Sequence, residues 1–115
     1  AIAHNISYPI TLKYNISHGI ACSFSLPMIL RSMEGINKES ENRLKKIFDD
    51  NLKNSSKKLE SILRKLNVPL SLNELKIEKK EWERIVSNAF VGERGKNFLG
   101  NKKAFDEVVN STNFL

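Results

Sequence analysis

The chain has 115 residues, 19 Lys+Arg against 13 Asp+Glu for a net charge of +6, 40% hydrophobic residues and one cysteine. That balance excludes a disordered polyelectrolyte, an internal disulfide framework and, with no long uncharged apolar run, a membrane span. It also leaves room for one domain of ordinary size, too little for a nucleotide-binding domain and a separate substrate domain together.

In chain order, residues 1–33 carry only two basic side chains, Lys13 and Arg31, both histidines and Cys22. The opening AIAHNISYPI has neither a basic n-region nor a small-residue cleavage site, so no signal peptide is expected, and a lone cysteine suits a reducing cytoplasm. The sequons at Asn5, Asn15, Asn54 and Asn110 therefore read as chance pairings in an Asn- and Ser-rich chain. Pro9 restricts the first segment. Lys13 to Ser17 interrupts the apolar pattern, and Asn15 and Ser17 are turn formers. A second helix is expected from Gly19 to about Met33, kinked or interrupted at Pro27.

The remainder, 34–115, is charged and amphipathic and is expected to pack around the first third. Leu44, Ile47, Phe48 and Leu52 follow helical spacing, as do Leu59, Ile62, Leu63 and Leu66, with Pro69 as a stop. Ser71 and Glu74 form a capping-box pair. Trp82, Ile85, Val86, Ala89 and Phe90 make the widest apolar stripe. The break from Val91 to Asn101 carries three glycines, and Asn101 is placed to cap a short helix bearing Phe105, Val108 and Val109. No segment alternates long enough for a strand, so the expected fold class is all-α.

The basic excess does not read as a nucleic-acid surface. Glu39–Arg43, Glu41–Lys45 and Glu60–Arg64 are spaced i, i+4 with the acid first, the pattern of solvated helices. Arg94, Lys96, Lys102 and Lys103 cluster near the last loop, where a soluble loop is a plainer reading than an anion site. Gly95 to Lys102 nearly spells a phosphate loop, but Asn101 stands where the Lys is required and no strand precedes it.

His4 and His18 are 14 residues apart. One straight helix would separate them by about 21 Å, whereas two nitrogens on one metal lie within roughly 4 Å. A shared ion therefore demands that the chain reverse near Asn15. Cys22, one turn after His18, is within reach as a third donor, although a small buried residue is the commoner role for a free cysteine.

The stretch from His4 through Tyr8-Pro9 to His18-Gly19 and Leu26-Pro27 resembles the metal-binding signature of the iron-containing (group III) alcohol dehydrogenases. The resemblance is detailed to about residue 33 and looser beyond, through Leu72–Leu75, Trp82, the Asn97-containing loop and the final helix. It implies the helical C-terminal metal-binding domain of a dehydroquinate synthase-like enzyme. His4 and His18 would be ligands of a catalytic Fe2+ or Zn2+, and NAD(P) would be bound mainly by a dinucleotide domain not contained in these residues. The implied reaction interconverts an alcohol and an aldehyde or ketone. A zinc-dependent polyol dehydrogenase relative and a non-catalytic helical fragment are the alternatives.

Three departures qualify what the resemblance implies. The family's Asp-x-x-x-His is absent, so the site needs donors from elsewhere and the 115 residues alone should be inactive. A dinucleotide-binding segment is absent too. Tyr8 occupies a position where many members carry a proton-relaying His, which leaves it a substrate-pocket or hydrogen-bonding role. The Ile-Ser-Tyr-Pro wording is similar to the phosphonoacetaldehyde reductase-like branch and implies a small anionic aldehyde. No nucleic-acid or membrane partner is expected. Without a covering domain the chain should self-associate, with Trp82, Ile85, Phe90, Phe114 and Leu115 covering apolar surface.

Overall fold

A computed structural model describes residues 2–92 and 98–115. Among these the regular elements are all helical, as expected. The helices are α1 (Ile2–Tyr14), α2 (His18–Ser23), α3 (Leu26–Ser32), α4 (Lys38–Phe48), α5 (Leu52–Lys65), α6 (Leu72–Leu75), α7 (Lys79–Val91) and α8 (Lys102–Ser111).

Ile2, Ile6 and Ile10 recur every four residues, which stacks them on one face of α1, and all three are buried. Pro9 lies inside α1 without ending it. Proline offers no N–H to the carbonyl four residues back, so the turn around Asn5 loses one helical bond. The Asn5 side-chain amide donates to the Ala89 carbonyl at 3.1 Å and ties α1 to α7 there.

The helix expected from Gly19 to Met33 is two helices. Chain turning at Phe24 and Ser25 separates α2 from α3, and Pro27 falls in the first turn of α3. A proline is tolerated there because the first N–H groups of a helix have no partner within it. The apolar spacing from Leu44 to Leu52 is also broken. Asp49 adopts a left-handed conformation at φ 53°, and Asn51 caps α5 by accepting the Asn54 N–H at 2.8 Å. Of that stripe only Leu52 is buried, and Ile47 is 63% exposed.

The other capping expectations hold. Asn101 accepts the Ala104 N–H at 2.8 Å and starts α8. Ser71 accepts the Glu74 N–H at 3.2 Å, and the Glu74 carboxylate reaches back to the Leu70 N–H at 3.1 Å. Arg43 and Lys45 meet their i−4 glutamates, whereas Arg64 is found on Glu74 at 3.4 Å rather than on Glu60.

The core joins both parts of the chain. Ile6, Ile10, Phe24 and Met28 from the first third pack with Trp82, Ile85, Val86, Phe105, Val109 and Phe114. Phe24 stacks on Phe114 at 5.8 Å between ring centroids and lies 5.9 Å from Trp82. The later helices thus contribute to the same core as residues 1–33. Of the residues expected to cover apolar surface, Trp82, Ile85 and Phe114 are buried within this core and Leu115 is exposed. Further exposed apolar side chains lie at Leu12, Ile47, Leu66 and Leu99. Arg94 and Lys96, and with them the first three residues of the phosphate-loop-like stretch, lie outside the described residues. Lys102 is paired with Asp106 at 2.6 Å.

Candidate metal centre

His4 is in the first turn of α1 and His18 opens α2. The chain between them must cancel the length of α1. From His4 to Tyr14 the helix advances about 15 Å, ten residues at 1.5 Å each. Asn15 then takes a left-handed φ of 53°, a conformation that asparagine tolerates better than most side chains. Ser17 is extended, at φ −57° and ψ 145°. Four steps from Tyr14 to His18 can cover at most roughly 13 Å. A connection of that length is enough to return the chain toward the start of α1. The result is a His4–His18 ring separation of 6.0 Å between centroids, with the rings tilted 48°.

The reversal expected at Asn15 is thus present, and a third donor joins the pair. Cys22 Sγ lies 3.4 Å from His18 Nε2 and 3.7 Å from Nδ1. One donor atom from each of His4, His18 and Cys22 can be chosen so that all lie within 4.8 Å of one another. Both histidines are exposed, and Cys22 is half-buried rather than sealed in the core. The i, i+4 spacing from His18 already placed the thiol on the histidine's face of α2. It was the general tendency of free cysteines toward burial that argued otherwise.

The backbone under His4 is held locally. Ser7, fully buried, donates its hydroxyl to the His4 carbonyl at 2.7 Å. Tyr8 follows His4 by one turn at 6.4 Å ring to ring and is 45% exposed. It lines an open hollow with Asn5, Pro9, Ile85, Asn88 and Gly92. The tyrosine is therefore at the edge of the cluster, beside the histidines rather than among the donors.

At the other end of α1, Lys13 meets Glu81 at 3.2 Å and links α1 to α7. Hydrogen bonds from Arg84 first and then Lys13 hold the Glu81 carboxyl below its ordinary value, and Glu81 raises Arg84 in return. Asp50 is lowered by the Asn51 backbone N–H, then by Asn54 and Lys58. Because both carboxylates are lowered, what they contribute is present at neutral pH and is lost as pH falls through their lowered values. Solvent screening keeps that contribution small.

Two imidazoles and a thiol gather at the edge of a helical fold, a set of side chains whose chemistry could hold a metal ion. The chain matches the family model "Fe-containing alcohol dehydrogenase family, C-terminal" over residues 1–110, and so it belongs to the iron-containing alcohol dehydrogenase family. That family comprises alcohol dehydrogenase-type oxidoreductases whose full-length members imply a divalent metal and NAD(P). No curated protein and no solved structure gives a significant match. No described helix is long and apolar enough to cross a membrane.

Proposed function

We propose that residues 1–115 form the helical C-terminal domain of a metal- and NAD(P)-dependent alcohol dehydrogenase that interconverts an alcohol with an aldehyde or ketone. The observation that carries this reading is the approach of His4 to His18 across the Asn15 reversal. The donor set suits the group the family implies, because neutral imidazole nitrogens bind both ferrous iron and zinc. When bound, such an ion supplies Lewis-acid polarisation of the substrate oxygen.

This chain's own residues orient and expose the site. His4 and His18 present their rings to solvent, where donors from a preceding segment and a nicotinamide can approach. Tyr8 offers a phenolic hydroxyl at the rim as a hydrogen-bond donor to the substrate oxygen. A small anionic aldehyde remains part of the proposal on the wording around Tyr8-Pro9.

Turnover tests the reading. The 115-residue chain supplied with ferrous iron or zinc is expected to show no alcohol-dependent reduction of NAD(P). A longer product of the same reading frame, bearing a nucleotide-binding segment and an Asp-x-x-x-His, is expected to show it. Turnover by the 115 residues alone would overturn the two-part site.

Self-association belongs to the same proposal. An apolar hollow lined by Leu26, Ile29, Leu30, Met33, Leu44 and Ile47 lies between α3 and α4, and apolar surface open to water favours a second copy. Sedimentation at two concentrations should show the mean mass rising with concentration. A constant monomer mass removes self-association from the reading.

A further inference from the structure

We infer that the cleft between α3, α5 and the C-terminal segment is an anion site that takes the dianionic phosphoryl group of a small molecule. None of the residues lining it belongs to the histidine cluster, so it goes beyond the metal reading and stands or falls without it.

Charge is the first support. Lys53, Lys57 and Arg64 line the cleft from α5, and the half-buried Arg31 lines it from α3. Spacings of four and seven residues put the three α5 cations on one face of that helix. Among the described residues Arg31, Lys53 and Lys57 have no ion pair, although Glu34 and Glu107 border a second hollow with Arg31. Arg64 is held by Glu74, and Glu60 is the one carboxylate among the lining residues. Those two acids offset two of the four cations. The charge left over is what a phosphoryl group of about −2 neutralises. Lys53 and Lys57, four apart, also repel each other, a cost that an anion between them removes.

Shape is the second support. The cleft has a volume of about 250 Å³. Sites for drug-sized ligands run from about 300 to 1,000 Å³, so this one suits a compact anion. Its walls are fixed. The Ser56 hydroxyl donates to the Pro27 carbonyl at 2.8 Å and clamps α5 to α3. The Phe114 carbonyl accepts the Leu72 N–H at 2.8 Å, and the Phe114 ring stacks on Phe24. Phe24, Met28 and Phe114 back the cleft with apolar side chains. A cleft lined by one sign of charge over a low-dielectric wall focuses its potential on an incoming anion.

Chemistry sets the ligand class. Guanidinium forks match pairs of phosphate oxygens, and lysines add mobile point charges. Binding exchanges water and counter-ions and makes or breaks no covalent bond.

The test is nuclear magnetic resonance titration of the 115-residue chain with inorganic phosphate and then glycerol phosphate, at an ionic strength held constant with chloride. Amide signals of α3, α5 and residues 111–114 should shift and saturate. Arg31→Gln, and Lys53→Gln with Lys57→Gln together, should each weaken binding about tenfold, the usual loss of hydrogen bonds to a charged group. Lys46→Gln removes the same charge from an exposed position off the cleft and should stay within about twofold, because distant exposed charges are screened. Circular dichroism checks that each variant folds, and the two lysines are exposed, so their double variant reports even if Arg31→Gln unfolds. Zinc uptake should be unchanged in all of them. Phosphate that shifts nothing beyond what chloride shifts overturns the site. Lys46→Gln as damaging as Arg31→Gln means diffuse charge and overturns it too. Binding to phosphatidic acid vesicles with no response to either soluble phosphate overturns the small-molecule ligand in favour of a lipid headgroup.

Discussion

Replacing His18 with alanine is expected to lower zinc affinity on the order of 100-fold while leaving the fold intact. Loss of an outer hydrogen-bonding partner of a metal ligand already costs about 10–100-fold, so removal of the ligand itself belongs at or beyond the upper end. His18 has two donors at hand, His4 across the reversal and Cys22 one turn on, and its removal leaves those two without the residue that adjoins both. Stability should change by less than about 0.5 kcal/mol, because the side chain is exposed and α2 does not depend on it for a cap. Equilibrium dialysis against zinc, paired with urea melts of the metal-free chain, separates the two quantities. Tyr8→Phe is the contrast: its affinity for zinc should match wild type. If His18→Ala keeps zinc as tightly as wild type does, the cluster is not where the ion sits.

Much of this site could be read from the sequence because two of its features are local. Asn15 and Ser17 announce a reversal by residue type, and a reversal was the only way to bring His4 and His18 together. The capping residues Ser71 and Asn101 were legible for the same reason: a side-chain oxygen three residues before an unpaired N–H is a short-range signal. The stripe from Trp82 to Ala89 was legible because its spacing continues through four buried residues on one helix.

What escaped depends on packing at a distance or on local chemistry that contradicts periodicity. Leu44 to Leu52 keeps helical spacing across the end of one helix and the start of the next, so the apolar pattern alone cannot see the boundary. The signal lies in Asp49-Asp50-Asn51, where one residue turns left-handed, Asp50 accepts the Asn51 N–H at 2.7 Å, and Asn51 caps the next helix. Serines at 7, 25, 55 and 56 are buried, against their usual surface preference. They are small enough for close helix contact, and Ser56 satisfies its hydroxyl on the Pro27 carbonyl at 2.8 Å, which joins α5 to α3. Nothing in a single sequence distinguishes such a serine from a solvated one. Likewise, the shared core of Phe24, Trp82 and Phe114 spans 90 residues of chain and becomes visible only when the fold brings the rings together.

That ring cluster carries the second large effect. Phe24→Ala is expected to destabilise the chain by about 3–5 kcal/mol, the usual loss when a fully buried phenylalanine is cut back. Phe24 is 1% exposed, stacks on Phe114 and leans on Trp82, so little can collapse into the space. Against a typical total of about 5–15 kcal/mol, the loss is enough to unfold a marginal domain at 37 °C. Phe24 is also the residue that ends α2, the helix that carries His18 and Cys22. Its removal should therefore loosen the site together with the core, and zinc affinity should fall in the fraction that remains folded. Zinc in turn should restore part of the stability, about 2.7 kcal/mol at a concentration 100 times its dissociation constant, because the folded state alone assembles the three donors. Urea melts with and without zinc read both effects: the midpoint should drop with an unchanged slope and recover partly on adding metal. Phe24→Leu should lose much less, and Leu12→Ala, at an 87% exposed position, should lose almost nothing. A melt of Phe24→Ala within 1 kcal/mol of wild type, or one that zinc leaves unmoved where it stabilises wild type, would separate the ring cluster from the metal site and contradict the coupling.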